Sequence, residues 1–271
     1  MPESAEVKRI TNQLNAEFGG HNLAHIAVIG GRFGKGMDIT HALLDRLDWP
    51  LTNVRMCCKG KFLYWQAFDS NNADVDFHIT LGMTGSFGKK QKHSALQFDF
   101  DNGSIYFNDP RHFGTFKISS RMDTFRKLNT LGWDALEWPH IPEGFIAKLQ
   151  KARGHKTIAE VMLDQRWFCG TGNYLRAEAL YAAKIKPDTL VSQLTHTQLT
   201  TLCKSLIKIV REAYDAGGAT IATYSDLYGN VGTFYDQFKV YGQKQDPLGN
   251  PVIRSQAKDG RTIHWVKEVQ I

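Results

Sequence analysis

The stretch that decides the fold is DQRWFCGTGNYLRAEAL, residues 164–180. A glycine turn at residues 170–172 separates two segments of helical character, and Asn173 stands where the second helix would begin. Asn is a favoured N-cap residue, and a glycine turn between two helices is typical of a helix-turn-helix arrangement. Free backbone N–H groups at such a helix start can bind phosphate. Taken alone, the motif is equally compatible with a plain helical hairpin that carries solvated charges.

The sequence on both sides of this motif is also helical. Apolar residues recur at about 3.6-residue spacing in IAEVMLDQRWF, YLRAEALYAAKI and TQLTTLCKSLIKIVREAYDA, and Gly217–Gly218 ends the last of these segments. Residues 151–186 carry seven Lys or Arg against three Asp or Glu, which makes this region basic. From about residue 234 to residue 271 the pattern returns to strand-like alternation around the turn cluster DPLGNP.

The N-terminal half has a different pattern. Residues 3–18 carry apolar side chains at helical spacing, and Gly19–Gly20 ends that helix. Short β-rich runs follow up to about residue 118, and FDFDNGSIYF alternates around Asn102–Gly103, a strong hairpin signal. We therefore predict an α+β chain. An N-terminal helix and an antiparallel β-sandwich form residues 1–130, a helical domain follows in residues 131–233, and a C-terminal β-hairpin forms residues 234–271.

The composition restricts the class of protein. The 271 residues include 33 Lys or Arg and 27 Asp or Glu, a formal charge of +6, which weakly favours a polyanionic partner. No apolar run is long enough for a transmembrane helix, and MPESAEVKRI lacks the apolar region of a secretory signal. The cysteines have neither disulfide nor zinc-finger spacing. We expect an intracellular, monomeric protein with no membrane association.

Pro2 is the first candidate for chemistry. With Met1 removed, Pro2 would be a secondary amine, and a chain-terminal amine has a pKa of about 7.7–8.0. A useful fraction would then be neutral at physiological pH and able to attack an electrophilic carbon, giving an iminium. Glu3 and Glu6 offer carboxylates for proton transfer. The alternative is that Pro2 has no special role and that the glutamates solvate a helix start.

Two loops between strands contain unusual residue types. LGMTGSF (residues 81–87) presents Met83, and NDPRHFGTF (residues 108–116) presents Arg111 and Phe113. An apolar wedge with an arginine is what a protein needs to enter a base stack and fill the space left by an extruded base. The alternative is that Met83 and Phe113 are core residues. Lys61, at a strand start, is compatible with either a solvated edge or a phosphate contact.

Together these segments resemble the formamidopyrimidine-DNA glycosylase / endonuclease VIII family of base-excision repair enzymes. The resemblance covers essentially the whole chain and keeps the order of the family's motifs. It rests on M-P-E-x-x-E-V, G-K-F-L, L-G-M-T-G-S-F, D-P-R-H-F-G, D-Q-x-x-x-x-G-x-G-N-Y-L-x-x-E-A-L and a late V-Y-G…G-R-x-x-H. It implies that residues 131–233 are a helix-two-turn-helix DNA-binding domain.

The sequence departs from the family pattern at both ends. Ser4 and Ala5 replace the usual Gly or Leu and Pro. Many members end in a four-cysteine zinc finger, but here Val266 and Val269 stand at the second cysteine pair and Leu248 near the first. Without thiolates a tetrahedral zinc site has no ligands. We therefore expect no metal, and a zincless finger held by apolar packing, of the kind that resembles the endonuclease VIII-like branch.

The resemblance implies a role for each candidate residue. Pro2 would be the Schiff-base nucleophile at the sugar carbon that bears the damaged base, Glu3 the proton donor for ring opening, and Lys61 a phosphate contact that assists β-elimination. Glu6 is retained as the second carboxylate. The remaining residues would bind DNA: Arg261 at the finger tip, Asn173 on a backbone phosphate, Met83, Arg111 and Phe113 as the void-filling triad, and His93 and Lys156 as further phosphate contacts.

These roles predict a bifunctional DNA glycosylase/AP lyase that needs no cofactor and acts on damaged DNA. The family's substrates include oxidised pyrimidines, formamidopyrimidines, hydantoins and 8-oxoguanine, and the lack of a zinc finger favours pyrimidines. The loop at residues 220–232 is expected to take part in lesion choice. The complete wedge triad favours duplex DNA over single strands. A second hypothesis is a non-catalytic damaged-DNA-binding module of the same fold, which the changes at Ser4 and Ala5 leave open.

Overall fold

The computed structural model describes residues 2–35, 42–220 and 224–271, and these residues form two compact units. The first unit contains Pro2, residues 6–130 and residues 217–232. The second unit contains Glu3–Ala5, residues 131–216 and residues 233–271. Met1 and residues 221–223 of the loop expected to choose the lesion lie outside the described residues.

The first unit is built from strands with a helix at its front. Its helices are α1 (Ser4–Phe18, whose first two residues fall in the second unit), α2 (Gly31–Lys35) and α3 (Arg121–Thr130). Its strands are β1 (Leu23–Val28), β2 (Thr52–Lys59), β3 (Phe62–Phe68), β4 (Asp74–Thr80), β5 (Ser86–Gly88), β6 (Ser94–Phe100), β7 (Gly103–Asn108) and β8 (Thr115–Ser119).

These strands form two antiparallel sheets, in the orders β1-β6-β7-β5 and β2-β3-β4-β8. Aromatic side chains from both sheets share one core. Trp65 of the second sheet lies 4.8 Å, ring centre to ring centre, from Phe98 of the first, and Phe98 lies 6.0 Å from Phe116. Large rings packed between two faces bury much apolar area, the main favourable term in folding. The predicted antiparallel β-sandwich is confirmed.

Helix α1 follows the predicted spacing closely. Val7, Ile10, Leu14 and Phe18 are all buried in the core of the first unit, and the Phe18 ring stacks on Phe100 at 4.8 Å. Residues three or four apart lie on one face of a helix, so a single stripe can cover the sheet. Local periodicity was therefore sufficient to place this helix.

The predicted β6–β7 hairpin is present, but its turn lies one residue earlier than the Asn-Gly pair suggested. Phe100 pairs with Gly103, so Asp101 and Asn102 form the two-residue turn. Both turn side chains bind the end of α1 and the residues after it. Asn102 Nδ2 donates to Glu17 O at 2.7 Å, and the Asp101 carboxylate accepts from Asn22 N at 3.1 Å. These contacts, rather than the turn residues alone, determine where the chain reverses.

The second unit is mostly helical. Its helices are α4 (Phe145–Arg153), α5 (Ile158–Leu163), α6 (Asn173–Ala182) and α7 (His196–Asp215), with short 3₁₀ turns at Val191–Gln193 and Phe234–Gln237. Its strands are β9 (Trp133–Asp134), β10 (Phe168–Cys169), β11 (Ile253–Gln256) and β12 (Thr262–Trp265). Helix α5 ends earlier than predicted because Asp164 is extended and its carboxylate binds the backbone N–H of Arg166.

The C-terminal hairpin contains the antiparallel pair β11 and β12, and its core is apolar as expected. Val266 is fully buried with Val240 and Ala177, and Val269 packs against them. Leu248 differs from the expectation, because 76% of it is exposed and it contributes nothing to this core.

The turn that contains Leu248 is held instead by Asp246. Its carboxylate accepts hydrogen bonds from the backbone N–H of Leu248 (2.9 Å) and of Asn250 (2.8 Å), from the Asn250 side chain (3.0 Å) and from the Tyr181 hydroxyl (3.1 Å). Asp side chains often close turns in this way. The hairpin therefore has a polar anchor in addition to its apolar core.

Residues 217–232 belong to the first unit because they bind α1. Ala219 N donates to the Glu6 carboxylate at 2.7 Å, Leu227 N donates to the Gln13 side chain at 3.0 Å, and Asp226 accepts from Gln13 at 2.8 Å. The division into domains at 1–130, 131–233 and 234–271 stays a prediction, whereas the compact units of the structure follow these tertiary contacts. Among the described helices, none has the length and apolar character needed to cross a bilayer.

We expect Asp246→Ala to lower the melting temperature by roughly 5 °C, because the two backbone N–H groups of the turn, the Asn250 side chain and the Tyr181 hydroxyl lose their acceptor. Differential scanning calorimetry measures the change. Leu248→Ala, in the same turn, is the matched control and should leave the melting temperature unchanged because Leu248 is exposed. An Asp246→Ala variant as stable as the control would show that the carboxylate does not hold the hairpin.

Candidate active site

Glu3 is seated on the N-terminus of helix α6. The residue is 2% exposed, and its carboxylate accepts hydrogen bonds from the backbone N–H groups of Gly172 (2.7 Å), Tyr174 (3.0 Å) and Leu175 (3.3 Å). The first N–H groups of a helix have no partners within the helix, and the helix N-terminus favours negative charge. A carboxylate from residue 3 thus does the capping that no side chain of the helix itself provides.

Gly172 is the residue that makes room for this carboxylate. A Cβ atom at position 172 would lie 2.3 Å from Glu3 Cδ and 2.3 Å from Glu3 Oε1, far inside van der Waals contact. The glycine of the G-x-G-N motif is therefore required by a close approach, since its φ of −126° is open to any residue.

Asn173 is not the N-cap, contrary to the sequence prediction; Gly172 occupies that position. Asn173 is the first residue of α6, and its side-chain Nδ2 donates to the backbone carbonyl of Thr262 at 2.9 Å. Its Oδ1 accepts from the guanidinium of Arg176. Because Glu3 already satisfies the helix N–H groups, the Asn173 side chain is available to hold strand β12.

Arg261 lies at the tip of the hairpin, as predicted. Residues 257–261 form the turn, in which Ala257 N donates to Arg261 O at 2.9 Å and Gly260 has a φ of +78°. The Arg261 side chain is exposed. Its backbone N–H donates to Asp259 Oδ1 at 3.0 Å. An exposed arginine on a fixed turn is well suited to bind phosphate.

Lys156 is exposed, just before helix α5. Its ammonium lies 3.7 Å from Glu160, the residue that completes a capping box with Thr157. A phosphate contact by Lys156 would therefore compete with this surface ion pair, which is a weak interaction.

In the first unit, Pro2 is buried and stands two residues before α1. Glu6 is also buried, and its carboxylate accepts the Ala219 N–H at 2.7 Å. Gly218 lies against it with a φ of +93°. These contacts give Glu6 a role in holding residues 217–232. Lys61 is half-buried in the tight turn between β2 and β3, next to Gly60, whose φ is +57°.

The structure brings the wedge residues together on two adjoining loops. Met83 and Phe113 are 45% and 49% exposed, so they are not core residues. The Arg111 guanidinium lies 4.8 Å from the centre of the Phe113 ring. Gly82 permits the close approach of the two loops, because a Cβ there, at a φ of +59°, would lie 2.7 Å from the Phe113 backbone.

Asp109 organises these loops, a role that sequence reasoning missed. The residue is 1% exposed, and its carboxylate accepts from the Thr84 hydroxyl at 2.8 Å and from Gly114 N at 2.6 Å. Its own N–H donates to the carbonyl of His93 at 3.0 Å, so His93, which is exposed, borders the same loops. The D-P-R-H-F-G motif contained Asp109, but nothing local indicated its partners.

Glu178 was also missed. It is 4% exposed in α6, and its carboxylate accepts the N–H groups of Lys239 (2.9 Å), Val240 (3.0 Å) and Tyr241 (2.7 Å). Burial raises the pKa of Glu178, and these hydrogen bonds oppose the shift. Helix α6 therefore binds Glu3 at its start and, through Glu178 in its middle, the segment that contains V-Y-G.

His264 is a buried residue of strand β12 in the C-terminal hairpin. Its Nε2 accepts from Arg254 Nε at 2.9 Å, and its ring lies 4.9 Å from Tyr241. Burial lowers the pKa of His264 below its ordinary value, and the positive charges of Arg254 and Arg176 add to the shift. His264 is therefore neutral at pH 7 and acts as a hydrogen-bond acceptor. Within the described residues, no group of three or more His, Cys, Asp or Glu is placed to hold a metal ion.

Comparisons with known proteins agree with the order of these elements. The model of the formamidopyrimidine-DNA glycosylase N-terminal domain matches residues 1–116, and that of the formamidopyrimidine-DNA glycosylase H2TH domain matches residues 131–225. A formamidopyrimidine-DNA glycosylase of Mycoplasma genitalium is 31% identical over 283 aligned positions, which span all of this chain and 96% of the relative.

Solved structures are similar over almost the whole chain. A Lactococcus lactis FPG variant, in complex with DNA that contains Fapy-dG, is 25% identical with a TM-score of 0.85 and 99% coverage of both chains. The MutM (FPG) protein of Thermus thermophilus is 27% identical with a TM-score of 0.83, covering 99% of this chain and 98% of its own.

We expect Gly172→Ala to destabilise the protein by about 2 kcal/mol, because the new methyl group displaces Glu3 and leaves buried N–H groups without an acceptor. Urea unfolding measures the loss. Gly88→Ala is the control, since the nearest atoms to its Cβ are 3.8 Å away. If Gly172→Ala is as stable as wild type and its crystal structure shows Glu3 still bound to the N-terminus of α6, then Gly172 is not required to make room for the carboxylate.

The environment of His264 predicts a pH effect. As the pH falls below about 6.5, the unfolded chain takes up a proton that the folded state resists, so the free energy of unfolding decreases with falling pH. Between pH 7.5 and pH 5.5, wild type should lose more stability than His264→Gln, which keeps an acceptor for Arg254 but does not titrate. Parallel curves for the two proteins in urea unfolding would be inconsistent with a buried neutral histidine.

Proposed function

This chain belongs to the formamidopyrimidine-DNA glycosylase family, which makes it a DNA glycosylase of base excision repair, and we propose that it is a bifunctional glycosylase/AP lyase that uses Pro2 as its nucleophile. Its proposed substrates are formamidopyrimidines, oxidised pyrimidines and hydantoins in duplex DNA. The structural neighbours that hold DNA with Fapy-dG or an abasic site support this class of substrate.

The proposal is supported above all by the position of the Glu3 carboxylate at the N-terminus of α6. A carboxylate that is buried, fixed by three N–H groups and bonded in sequence to Pro2 is placed by the fold rather than left in solvent. Precise placement of a proton-transfer group is what general acid–base catalysis requires. The same turn of helix carries Asn173, the proposed phosphate ligand.

The proposed reaction begins with the neutral nitrogen of Pro2, after Met1 has been removed. The nitrogen forms a bond to C1′ of the damaged nucleotide, and the bond from C1′ to the base breaks, so that the base leaves with the electron pair. The nitrogen then carries a proton that must be lost before an iminium can form. Glu3 accepts that proton and delivers it to O4′ as the C1′–O4′ bond opens.

The iminium supplies the driving force for strand cleavage. It acidifies the C2′–H bond, and loss of that proton expels the 3′ phosphate by β-elimination. A second elimination removes the C4′ proton to solvent and breaks the C5′–O5′ bond, so that the 5′ phosphate leaves. Hydrolysis of the remaining iminium by water then frees Pro2. We assign to Lys61 a phosphate contact that assists these eliminations. Each step requires only protons, water and DNA groups, so that no redox partner is involved.

Binding is proposed to rest on phosphate contacts and a wedge. Asn173, Arg261, His93 and Lys156 are proposed to bind phosphates, which would make affinity sensitive to salt. Met83, Arg111 and Phe113 are proposed to fill the space that the extruded nucleotide leaves. Extrusion costs a few kcal/mol and is easiest for damaged bases, so part of the selectivity follows from the DNA itself.

Borohydride trapping on abasic-site DNA tests the proposal. Wild-type protein, with a Pro2 N-terminus verified by mass spectrometry, should form a covalent adduct, and Pro2→Gly should lose most of it. Glu3→Gln should slow formation of the covalent adduct by about 100-fold or more, because the variant lacks the group that moves the proton from Pro2 to O4′. Glu212→Gln, on the exposed surface of α7, is the control and should react like wild type.

The non-catalytic hypothesis makes the opposite prediction. If the verified wild-type protein binds abasic-site DNA but forms no adduct and cuts no strand, the chain is a damage-binding module and the catalytic proposal fails. If Pro2→Gly leaves DNA binding unchanged, that result by itself does not separate the two hypotheses. The covalent adduct is therefore the deciding measurement.

A further inference from the structure

Arg176 is an arginine buried completely within the second unit. Its side chain is 0% exposed, and burial lowers its pKa from the ordinary value while the neighbouring Asp259 carboxylate opposes the shift. A buried guanidinium is costly unless charged and polar partners surround it. The geometry of the partners of Arg176 is therefore important, because the removal of the Asp259 carboxylate would leave the buried positive charge less well compensated.

The principal partner is Asp259, in the hairpin turn. Arg176 Nη1 lies 3.0 Å from Asp259 Oδ2. The other oxygen of the same carboxylate, Oδ1, accepts the backbone N–H of Arg261 at 3.0 Å. One carboxylate thus connects a buried cation on α6 to the backbone of the exposed arginine at the tip.

Further contacts strengthen this connection. Arg176 also donates to the carbonyl of Ala159 in α5 at 3.3 Å, and it reaches Oδ1 of Asn173. Asn173 in turn donates to the carbonyl of Thr262, the first residue after Arg261. The tip is therefore held on both sides of Arg261 by side chains from the first turn of α6.

The first turn of α6 also binds the Glu3 carboxylate. The N–H groups of Gly172, Tyr174 and Leu175 bind the Glu3 carboxylate. The side chains of Asn173 and Arg176 hold the hairpin. A displacement of the tip must therefore break the Arg176–Asp259 pair or move the turn on which Glu3 rests.

We propose that Arg176 is a positioning residue that fixes the Arg261 tip for phosphate binding by holding Asp259, so that the buried pair acts on DNA only through Arg261. The inference rests on the proposed function, since it takes Arg261 as a phosphate ligand. Neither Arg176 nor Asp259 touches DNA in this proposal, and Asp259 would repel phosphate if it did.

A double-mutant cycle tests the proposal. Affinity is measured for duplex DNA with a tetrahydrofuran abasic-site analogue, over a range of salt concentrations. Arg261→Ala removes a phosphate contact, so we expect weaker binding and a salt slope smaller by about one. Asp259→Asn should weaken binding by about tenfold and reduce the slope in the same way. In the Arg261→Ala background, Asp259→Asn should have no further effect, because its route of action is already absent.

A second pair of variants keeps the test meaningful if Asp259→Asn is unstable. Replacement of a buried ion pair by apolar residues is often neutral for stability. The double variant Arg176→Met with Asp259→Leu should therefore fold, as judged by thermal unfolding, yet bind with the reduced salt slope of Arg261→Ala. Arg176→Lys, which keeps the charge but not the fork geometry, should recover part of the affinity.

Two results would overturn the proposal. The first is additive losses in the cycle, which would mean that Asp259 acts independently of Arg261. The second is a normal salt slope in the folded Arg176→Met, Asp259→Leu variant, which would mean that the pair only stabilises the hairpin. The catalytic proposal is tested separately, because its failure would appear as the absence of a borohydride adduct with the wild-type protein. The DNA affinities of the double-mutant cycle can be measured whether or not that adduct forms.

Discussion

The contact between the Glu3 carboxylate and the first turn of α6 is the constraint on which the second unit depends. It joins residue 3 to residues 172–175 and satisfies N–H groups that the helix cannot satisfy itself. Because the carboxylate takes over capping, the side chain of Asn173 is released to bind Thr262. A single turn of helix thereby binds the Glu3 carboxylate through its backbone and the hairpin through its side chains. Gly172 is the residue that permits this arrangement, since any side chain there would occupy the place of the carboxylate.

The hairpin reaches a defined structure by means other than cysteine ligands. Val266 and its neighbours supply an apolar core, and Asp246 closes the adjacent turn with hydrogen bonds to Leu248 and Asn250. The same device occurs in the first unit, where Asp226 accepts from the N–H groups of Tyr228 (3.0 Å) and Asn230 (2.8 Å). Both turns have the sequence D-x-x-G-N, and both glycines have a φ of +86°. The two turns thus share one backbone geometry, in which Asp occupies the first position and Gly adopts the left-handed conformation.

Buried carboxylates hold several of the irregular segments of both units. Asp109 holds the two wedge loops, Glu178 binds the V-Y-G segment, and Glu6 binds residues 217–232. In each case a carboxylate oxygen accepts a backbone N–H of a segment without regular secondary structure. Each of these hydrogen bonds gives an acceptor to a buried backbone N–H, which would otherwise be costly to bury. Met83, Arg111 and Phe113, which are proposed to contact DNA, lie in this way on two loops that the buried Asp109 carboxylate connects.

Local sequence alone determined the periodic elements of this protein. The spacing of Val7, Ile10, Leu14 and Phe18 was enough for α1, because side chains three and four apart share a face in any helix. The order of the motifs was enough for the family, and therefore for Pro2 and Glu3 as candidates. Tertiary structure decided what each residue touches. The partner of Glu3 is 169 residues away, the partner of Arg176 is 83 residues away, and the N-cap fell on Gly172 rather than Asn173. No local pattern encodes such contacts, since they depend on which distant backbone groups the fold leaves unpaired and brings within hydrogen-bonding distance.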